Sequence, residues 1–209
     1  GKGLVQSLRN LPYNSSMKLT TAKYYIPSGR CVQALDYSRR SPDGSPARMP
    51  DSLTNVFHTA AGREGRDGGG IRPDVYVKSD TTQVSSYMVK LVAQGVYNEF
   101  MMDYMDNNRQ QLERKYPTYE EFEQKFELSD DDIRRLVDLA TQKGVEYDAE
   151  GFERSKSLMR NQLTAMVAQR LYGDNEFYKW INPRVNDSYN KAMEIITNWD
   201  EQGASLLNP

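Results

Sequence analysis

The sequence predicts an α+β protein in which a short β-rich part precedes an all-helical domain. Six of the nine prolines lie before Asp74, among short runs rich in Thr, Tyr and Val. Residues from 84 onward are rich in Glu, Gln, Met and Leu at helical spacing. Residues 1–80 carry 12 Lys+Arg and 7 Asp+Glu, whereas residues 81–209 carry 15 and 22. We therefore predict a boundary near residues 80–84, with domains at 1–80 and 84–209.

The β-rich part begins with two extended segments. The run at 3–7 and the Thr- and Tyr-rich run at 17–26 predict strands, and the Asn-Ser-Ser sequence at 14–16 predicts the turn between them. A third extended segment is expected from Cys31. Three prolines in residues 38–52 predict a loop, and the glycines at 68–70 predict a flexible turn. Residues 71–77 predict an edge strand, because Pro73 cannot donate a ladder hydrogen bond.

The second part reads as helices separated by capping signals. Apolar spacing predicts one long helix over 84–115. Thr118 and Glu121 form a capping-box pattern, and Ser129 precedes three aspartates that suit the positive end of a helix dipole. A helix over 148–172 ends at Gly173, and a last helix follows Pro183, around 188–199.

Composition excludes several classes of function. One cysteine (Cys31) rules out an internal disulfide and a multi-cysteine zinc site, and one histidine (His58) rules out most imidazole-based metal sites. A net charge of -2 disfavours bulk nucleic-acid binding. No apolar run reaches about 18 residues, so no membrane span is expected in this chain. Nor does the segment begin with the charged and apolar pattern of a signal peptide.

Lys2 and Gln6 are the candidate catalytic residues. On a strand, residues 2, 4 and 6 share one face, so Lys2 and Gln6 are expected on the same side. A lysine whose pKa is lowered by burial from about 10.4 can deprotonate a serine hydroxyl. A glutamine on the same face can accept a hydrogen bond from the amine and orient it. Spacing alone favours a plain surface lysine.

Several linked motifs resemble the C-terminal processing peptidases, also called tail-specific proteases. These are serine endopeptidases with a Ser–Lys catalytic pair. The resemblance lies in the G-K-G-x-x-Q start, the KLTTAKYYIPSGR segment that ends at Arg30, Gln33, and the later Gly70-Ile-Arg-Pro-Asp74. It is strong over residues 1–34 and 68–77 and weaker from residue 84 on. The Pro-rich loop at 38–66 is longer than in the simplest members.

The resemblance implies a role for each matching residue. Lys2 corresponds to the general base and Gln6 to the glutamine that supports it. In the family the nucleophilic serine, the peptide-binding PDZ module and most of the oxyanion hole precede this lysine. Residues 1–80 would then be the C-terminal part of the catalytic domain, and 84–209 a helical C-terminal domain. We expect this chain alone to be inactive, with Lys2 solvated and protonated.

The resemblance also implies what the longer protein does. It would hydrolyse peptide bonds in proteins selected by their C-terminal tails, in the periplasm or cell envelope, without a cofactor. The alternative is a non-catalytic helical module that binds another protein or forms a homo-oligomer.

Other chemical patterns are weaker. Ser15-x-x-Lys18 matches a nucleophile–base signature that requires a helix start, but it lies at the entrance to a predicted strand. Cys31 and His58 have no flanking residues that mark a thiol–imidazole pair. The Asp67–Gly70 turn lacks the Lys-Ser/Thr of a phosphate-binding loop, and helix capping accounts for Asp130–Asp132 without a cation.

Overall fold

The computed structural model describes residues 1–40, 46–48, 52 and 54–207, and it confirms the α+β class. Within these residues the strands come first and the helices follow. The chain forms two compact units. One contains the residues up to Tyr76 together with the chain from Asn198, and the other contains Val77–Thr197. The functional assignment of the domains at 1–80 and 84–209 stays a prediction.

The β-rich unit contains three antiparallel strand pairs among the described residues. Their bounds are β1 (Leu4–Leu11) with β2 (Ser15–Lys23), β3 (Leu35–Arg40) with β4 (Pro46–Arg48), and β5 (Val56–His58) with β6 (Glu64–Arg66). The predicted pairing of the first two strands is confirmed.

A tight turn connects β1 to β2. Tyr13 and Asn14 adopt positive φ values of 61° and 55°, and the Ser15 N–H donates to the Pro12 carbonyl at 3.4 Å. Two central residues of this conformation match the twist of antiparallel strands. The turn therefore lies at residues 12–15, slightly earlier than predicted. In the ladder, Val5 pairs with Ala22 but Gln6 pairs with Thr20, so β2 carries one extra residue, Thr21, at this irregularity.

Two predictions for the β-rich part are wrong in detail. Residues 71–77 form no strand in the structure. An ion pair between Arg63 and Asp74 ties this segment to the chain through side chains instead of a backbone ladder. The β5–β6 hairpin lies where only a loop and a flexible turn were expected. Most of the loop predicted at 38–52 falls outside the described residues. The exceptions are the end of β3, β4 and residue 52.

The helices follow one another with short connections. Their bounds are α1 (Ser86–Ala93), α2 (Val96–Lys115), α3 (Tyr119–Lys125), α4 (Asp130–Gln142), α5 (Ala149–Tyr172), α6 (Asp174–Val185) and α7 (Asp187–Thr197), then a π-helical turn (Trp199–Gly203) and α8 (Ala204–Leu207).

The predicted single helix over 84–115 is two helices. Gly95 has φ 69°, a left-handed conformation that interrupts α-helical hydrogen bonding and that glycine adopts without strain. Helix α6 was not predicted, because Pro183 was taken to precede the last helix. Pro183 lies inside α6 near its end, where it costs the helix one late hydrogen bond and α6 stops at Val185.

The predicted cap at Ser129 is confirmed, and of the predicted box at Thr118 the threonine half is confirmed. Thr118 Oγ1 accepts from the Glu121 N–H, and Ser129 and Asp132 form a reciprocal capping box at the start of α4. Asp148 caps α5, which ends at Gly173. These local signals fix where the helices begin, so their apolar faces meet in one core.

That core is aromatic at its centre. Phe122 is fully buried and stacks on Phe126 with ring centroids 4.4 Å apart. Tyr116, Tyr172 and Trp180 contact Phe122 edge-on at 5.7–5.9 Å. Edge-to-face rings add stabilisation beyond the area they bury.

A buried serine links two helices in this unit. Ser155 of α5 has no exposed surface, and its hydroxyl accepts from the Ser85 N–H at 2.9 Å and donates to the Gln83 carbonyl at 2.7 Å. Ser85 in turn caps α1 by accepting from the Met88 N–H. Ser155 therefore fixes the start of α1 against the middle of α5.

Replacing Ser155 with alanine should destabilise the helical unit. The substitution leaves the buried Ser85 N–H and the Gln83 carbonyl without this partner, which costs about 2 kcal/mol of unfolding free energy. Ser157→Ala on the same helix is the matched control, because Ser157 is exposed. Urea unfolding followed by helical circular dichroism measures both variants. Equal stability of the two would contradict the role given to Ser155.

Candidate functional site

The segment that carries Lys2 is hydrogen-bonded on both sides. The Gly1 carbonyl accepts from the Ala34 N–H at 2.9 Å, and the Gly3 carbonyl accepts from the Tyr24 N–H at 2.8 Å. The Gly3 N–H donates to the Gln33 side-chain oxygen at 2.6 Å. The Gln33 amide nitrogen donates onward to the Leu35 carbonyl at 3.2 Å. Three hydrogen bonds to Gly1 and Gly3 hold the backbone of Lys2 in place from its two neighbours, and the fourth orients the Gln33 side chain.

Glycine is required at position 3 for lack of space. A Cβ on Gly3 would lie 2.7 Å from the backbone nitrogen of Gln33, which is closer than side-chain carbons approach backbone atoms. Gly70, with φ 76°, completes the cluster: a Cβ there would lie 3.2 Å from both the Ala34 Cβ and the Gly1 Cα. Residues far apart in sequence therefore meet around the Gly1–Gly3 segment, and Gly1, Gly3, Gln33 and Gly70 all belong to the motifs quoted above.

The two candidate catalytic side chains are exposed in this chain. Lys2 lies just before β1, which begins at Leu4, and its side chain faces solvent. Gln6 is also exposed, and its amide nitrogen donates to Thr20 Oγ1 at 3.4 Å. Within the described residues no hydrogen bond joins Lys2 to Gln6. Their catalytic roles stay predictions.

Three tyrosines of the helical core have raised pKa values. Burial raises the pKa of Tyr104 to about 12 and that of Tyr119 to about 12, and it also raises the pKa of Tyr97. All three belong to the helical core, where their side chains are at most 8% exposed. These shifts arise because an apolar core disfavours the phenolate, which is a packing effect.

The alternative nucleophile patterns do not assemble. Ser15 and Lys18 lie three positions apart in β2, so their side chains point to opposite faces of the ladder. The Ser15 hydroxyl donates to the Pro12 carbonyl at 2.7 Å, as part of the turn. Cys31 forms a backbone bridge with Tyr25, whereas His58 is an exposed residue of β5.

The acidic patterns also have structural explanations. Asp67 accepts from the Asn55 backbone N–H at 2.7 Å and from its side chain at 3.2 Å, closing the β5–β6 hairpin. Asp130–Asp132 occupy the first turn of α4, as capping predicts. The part of the chain that the structure describes holds no group of three or more His, Cys, Asp or Glu residues suited to a metal ion.

A pocket of about 370 Å³ in the β-rich unit was missed by sequence reasoning. It lies between the turn at residues 26–30 and the β5–β6 hairpin, and arginines line it together with Phe57 and Ile71. Arg30 was noted only as the end of a motif. The repeated arginines of the β5–β6 region were a signal, but the fold was needed to bring Arg30 beside them.

Gly3→Ala should disrupt the segment that carries Lys2. The added methyl group collides with backbone, which cannot rotate away, so a cost of about 1–3 kcal/mol is expected. Gly69→Ala is the control, because a Cβ there meets no atom within 4 Å. Hydrogen exchange of peptides covering residues 1–35, followed by mass spectrometry, should show faster exchange in Gly3→Ala only. Unchanged protection in both variants would refute the close contact.

Comparison with known proteins identifies one family model. Residues 87–173, from α1 to the end of α5, match a family of unknown function (DUF8443). No curated protein matches the chain, and no solved structure matches it. Across the helices that the structure describes, none combines the length and apolar character needed to cross a membrane.

Proposed function

We propose that this chain is the C-terminal part of a serine endopeptidase of the C-terminal processing type. In the longer protein, Lys2 is the general base for a serine located before Gly1, and Gln6 supports the lysine. The substrates are proteins selected by their C-terminal tails. The site of action is the periplasm or cell envelope, and the reaction needs no cofactor.

One observation carries the proposal: the motif residues converge on the Lys2 segment. Gly3 donates to Gln33 at 2.6 Å, and Gly70 approaches Gly1 and Ala34 closely enough to exclude a side chain. Residues that matched the motif only by chance would have no reason to contact one another. Their convergence supports a reading in which the Gly-Lys-Gly segment is positioned by the rest of the motif.

The backbone geometry suits a general base. A lysine acts as a base only when its amine is held within hydrogen-bond reach of the nucleophile. The N–H groups of Tyr24 and Ala34 donate to this segment and the Gln33 side chain accepts from it. The backbone on both sides of Lys2 is therefore fixed, so the Lys2 Cα has little freedom. The amine of Lys2 would take the proton of the serine hydroxyl as that oxygen attacks the scissile carbonyl, and would return the proton to the leaving amine.

The proposal also accounts for uncovered apolar surface on the hairpin. Leu8 is 66% exposed and Leu19 is 47% exposed, and every residue of β2 is exposed. A two-stranded hairpin is marginal on its own and needs further strands or a helix to cover it. A sheet built by preceding residues of the longer protein would supply that cover and would remove water from Lys2, which lowers the pKa of a lysine.

Lys2→Ala in the longer protein should lower kcat by roughly 100- to 10,000-fold, the usual contribution of a positioned base. Gln6→Ala should lower it less, because it removes only the orienting hydrogen bond. Lys18→Ala is the control, since Lys18 is an exposed lysine of the same hairpin. The measurement is the rate at which each variant cleaves an unstructured C-terminal peptide. The variants compared have unfolding temperatures that match that of the wild type.

Wild-type rates from Lys2→Ala would end this assignment. The 209-residue chain alone should not cleave the same peptide, and cleavage by it would also contradict the proposal.

A second candidate function is supported by α7. This helix has no buried residue, and Tyr189, Met193 and Ile196 are 36%, 44% and 60% exposed at helical spacing. An amphipathic helix with an uncovered apolar stripe is suited to self-association. The helical unit would then be a non-catalytic module that pairs with a second copy of the chain.

Light scattering over a range of concentrations tests this second function. A dimer whose mass falls to that of the monomer in Ile196→Glu, but not in the solvent-facing control Glu194→Gln, would support pairing through α7. A monomer at every concentration would exclude it.

A further inference from the structure

Arg30 is a partly buried cation that has no partner among the described residues. It lines the pocket in the β-rich unit, and within the described residues its guanidinium makes no ion pair and no hydrogen bond. Arginines that lose part of their hydration normally find a carboxylate, a phosphate or a carbonyl. The Arg30 guanidinium therefore retains unused hydrogen-bonding capacity at the pocket wall.

The backbone around Arg30 is firmly held. The Arg30 carbonyl accepts from the Ile26 N–H at 3.0 Å, and the Gly29 N–H donates to the Ile26 carbonyl at 2.8 Å. Gly29 has φ 82°, which closes the turn, and Cys31 bridges to Tyr25 just beyond it. The held turn fixes the Cα of Arg30 and the direction of its Cα–Cβ bond before any ligand arrives, which reduces the entropy lost on binding.

Gly65 makes room for the guanidinium. A Cβ on Gly65 would lie 2.6 Å from Nη1 of Arg30 and 3.2 Å from its Cζ. Gly65 pairs with Phe57 across the β5–β6 ladder, so the cation and an aromatic ring border the same pocket. Ile71 adds a further apolar wall. Among the described residues, the pocket thus offers one arginine without a partner, at a flat glycine surface with apolar groups beside it.

The other charges in the pocket favour a ligand with a single negative charge. Arg63 is paired with Asp74, and Arg66 Nε lies 3.5 Å from Glu64 Oε1. Both acidic residues of the lining are therefore matched by an arginine, and the fourth lining arginine, Arg72, makes an interaction of its own. A dianionic phosphate would need more unpaired positive charge, whereas a carboxylate pairs with one guanidinium through two parallel hydrogen bonds.

We infer that this pocket binds a carboxylate carried on an apolar group, with Arg30 as its anchor. The carboxylate takes the guanidinium, and the apolar group lies against Phe57 and Ile71. Two sources have this chemistry: the free C-terminus of a peptide with apolar residues, and a small aliphatic acid. The inference does not rest on the proposed Ser–Lys chemistry, and its test is a binding measurement on this chain.

Titration of the ¹⁵N-labelled 209-residue chain tests the inference. The probes are acetyl-Ala-Leu with a free carboxylate, the same peptide as its C-terminal amide, and butyrate. We expect the acid to shift the amide signals of Gly65 and its neighbours, and the amide to leave them unchanged. Binding by butyrate at equal strength would identify a small acid as the ligand, and preference for the peptide acid would identify a chain terminus.

Three variants locate the binding. Arg30→Gln should weaken it by roughly tenfold or more, because a charge-assisted bidentate contact is lost. Gly65→Ala should also weaken it while keeping every charge, since its methyl displaces the guanidinium. Arg9→Gln, an exposed arginine of β1, is the control and should bind like the wild type.

Three results would overturn the inference: no shift with any acid at millimolar concentration, equal binding of acid and amide, or wild-type affinity in both Arg30→Gln and Gly65→Ala. Should Arg30→Gln lose the β5–β6 signals through unfolding, Gly65→Ala decides the outcome, because position 65 does not require a left-handed backbone. Failure here leaves the Lys2 assignment untouched, since Lys2→Ala is scored by turnover in the longer protein.

Discussion

The β-rich unit depends on a place where two backbone segments pass with no room for a side chain. At Gly3 the chain runs against Gln33, and the Gln33 amide uses that proximity to accept from the Gly3 N–H. The neighbouring hydrogen bonds to Tyr24 and Ala34 follow from the same approach. A larger residue at position 3 would separate the segments, and the orientation of Lys2 would be lost with them.

The helical unit depends on packing instead of backbone proximity. Its aromatic centre at Phe122 receives Tyr172 from the end of α5 and Trp180 from α6. The matched family segment ends at residue 173, so α6 contributes to the core beyond the matched region. Arg184 of the same helix lies over the Trp180 ring at 3.8 Å and pairs with Glu123 of α3. Helix α6 thus closes one side of the core with both apolar and charged contacts.

Local signals in the sequence predicted the parts of the fold that are themselves local. The starts of α4 and α5 were predicted because Ser129 and Asp148 cap their own helices within three residues. The break at Gly95 was missed because apolar spacing continues across it with only a small change of phase. Helix α6 was missed because Pro183 suggested an end to helical structure, whereas the last turn tolerates it.

The same distinction applies to the candidate site. Lys2, Gln6 and Gln33 were found through a motif, which reports residue types in order. Contacts between Gly70 and Gly1, or between Arg30 and Gly65, join positions tens of residues apart and follow no periodicity. Only the folded chain brings them together. The strand expected at 71–77 failed for a related reason, because a strand needs a partner and the sequence of one segment does not reveal one.

The β1–β2 hairpin has a consequence for how this polypeptide behaves in a cell. Leu11, Met17 and Leu19 lie on one face of the ladder, and none of them is buried by the described part of the chain. Chaperones and degradative proteases recognise such uncovered aliphatic residues on extended backbone. In a free copy of this segment, degradation and aggregation would therefore compete with folding onto a covering surface. The lifetime of the segment would be set by how soon such a surface covers those three side chains.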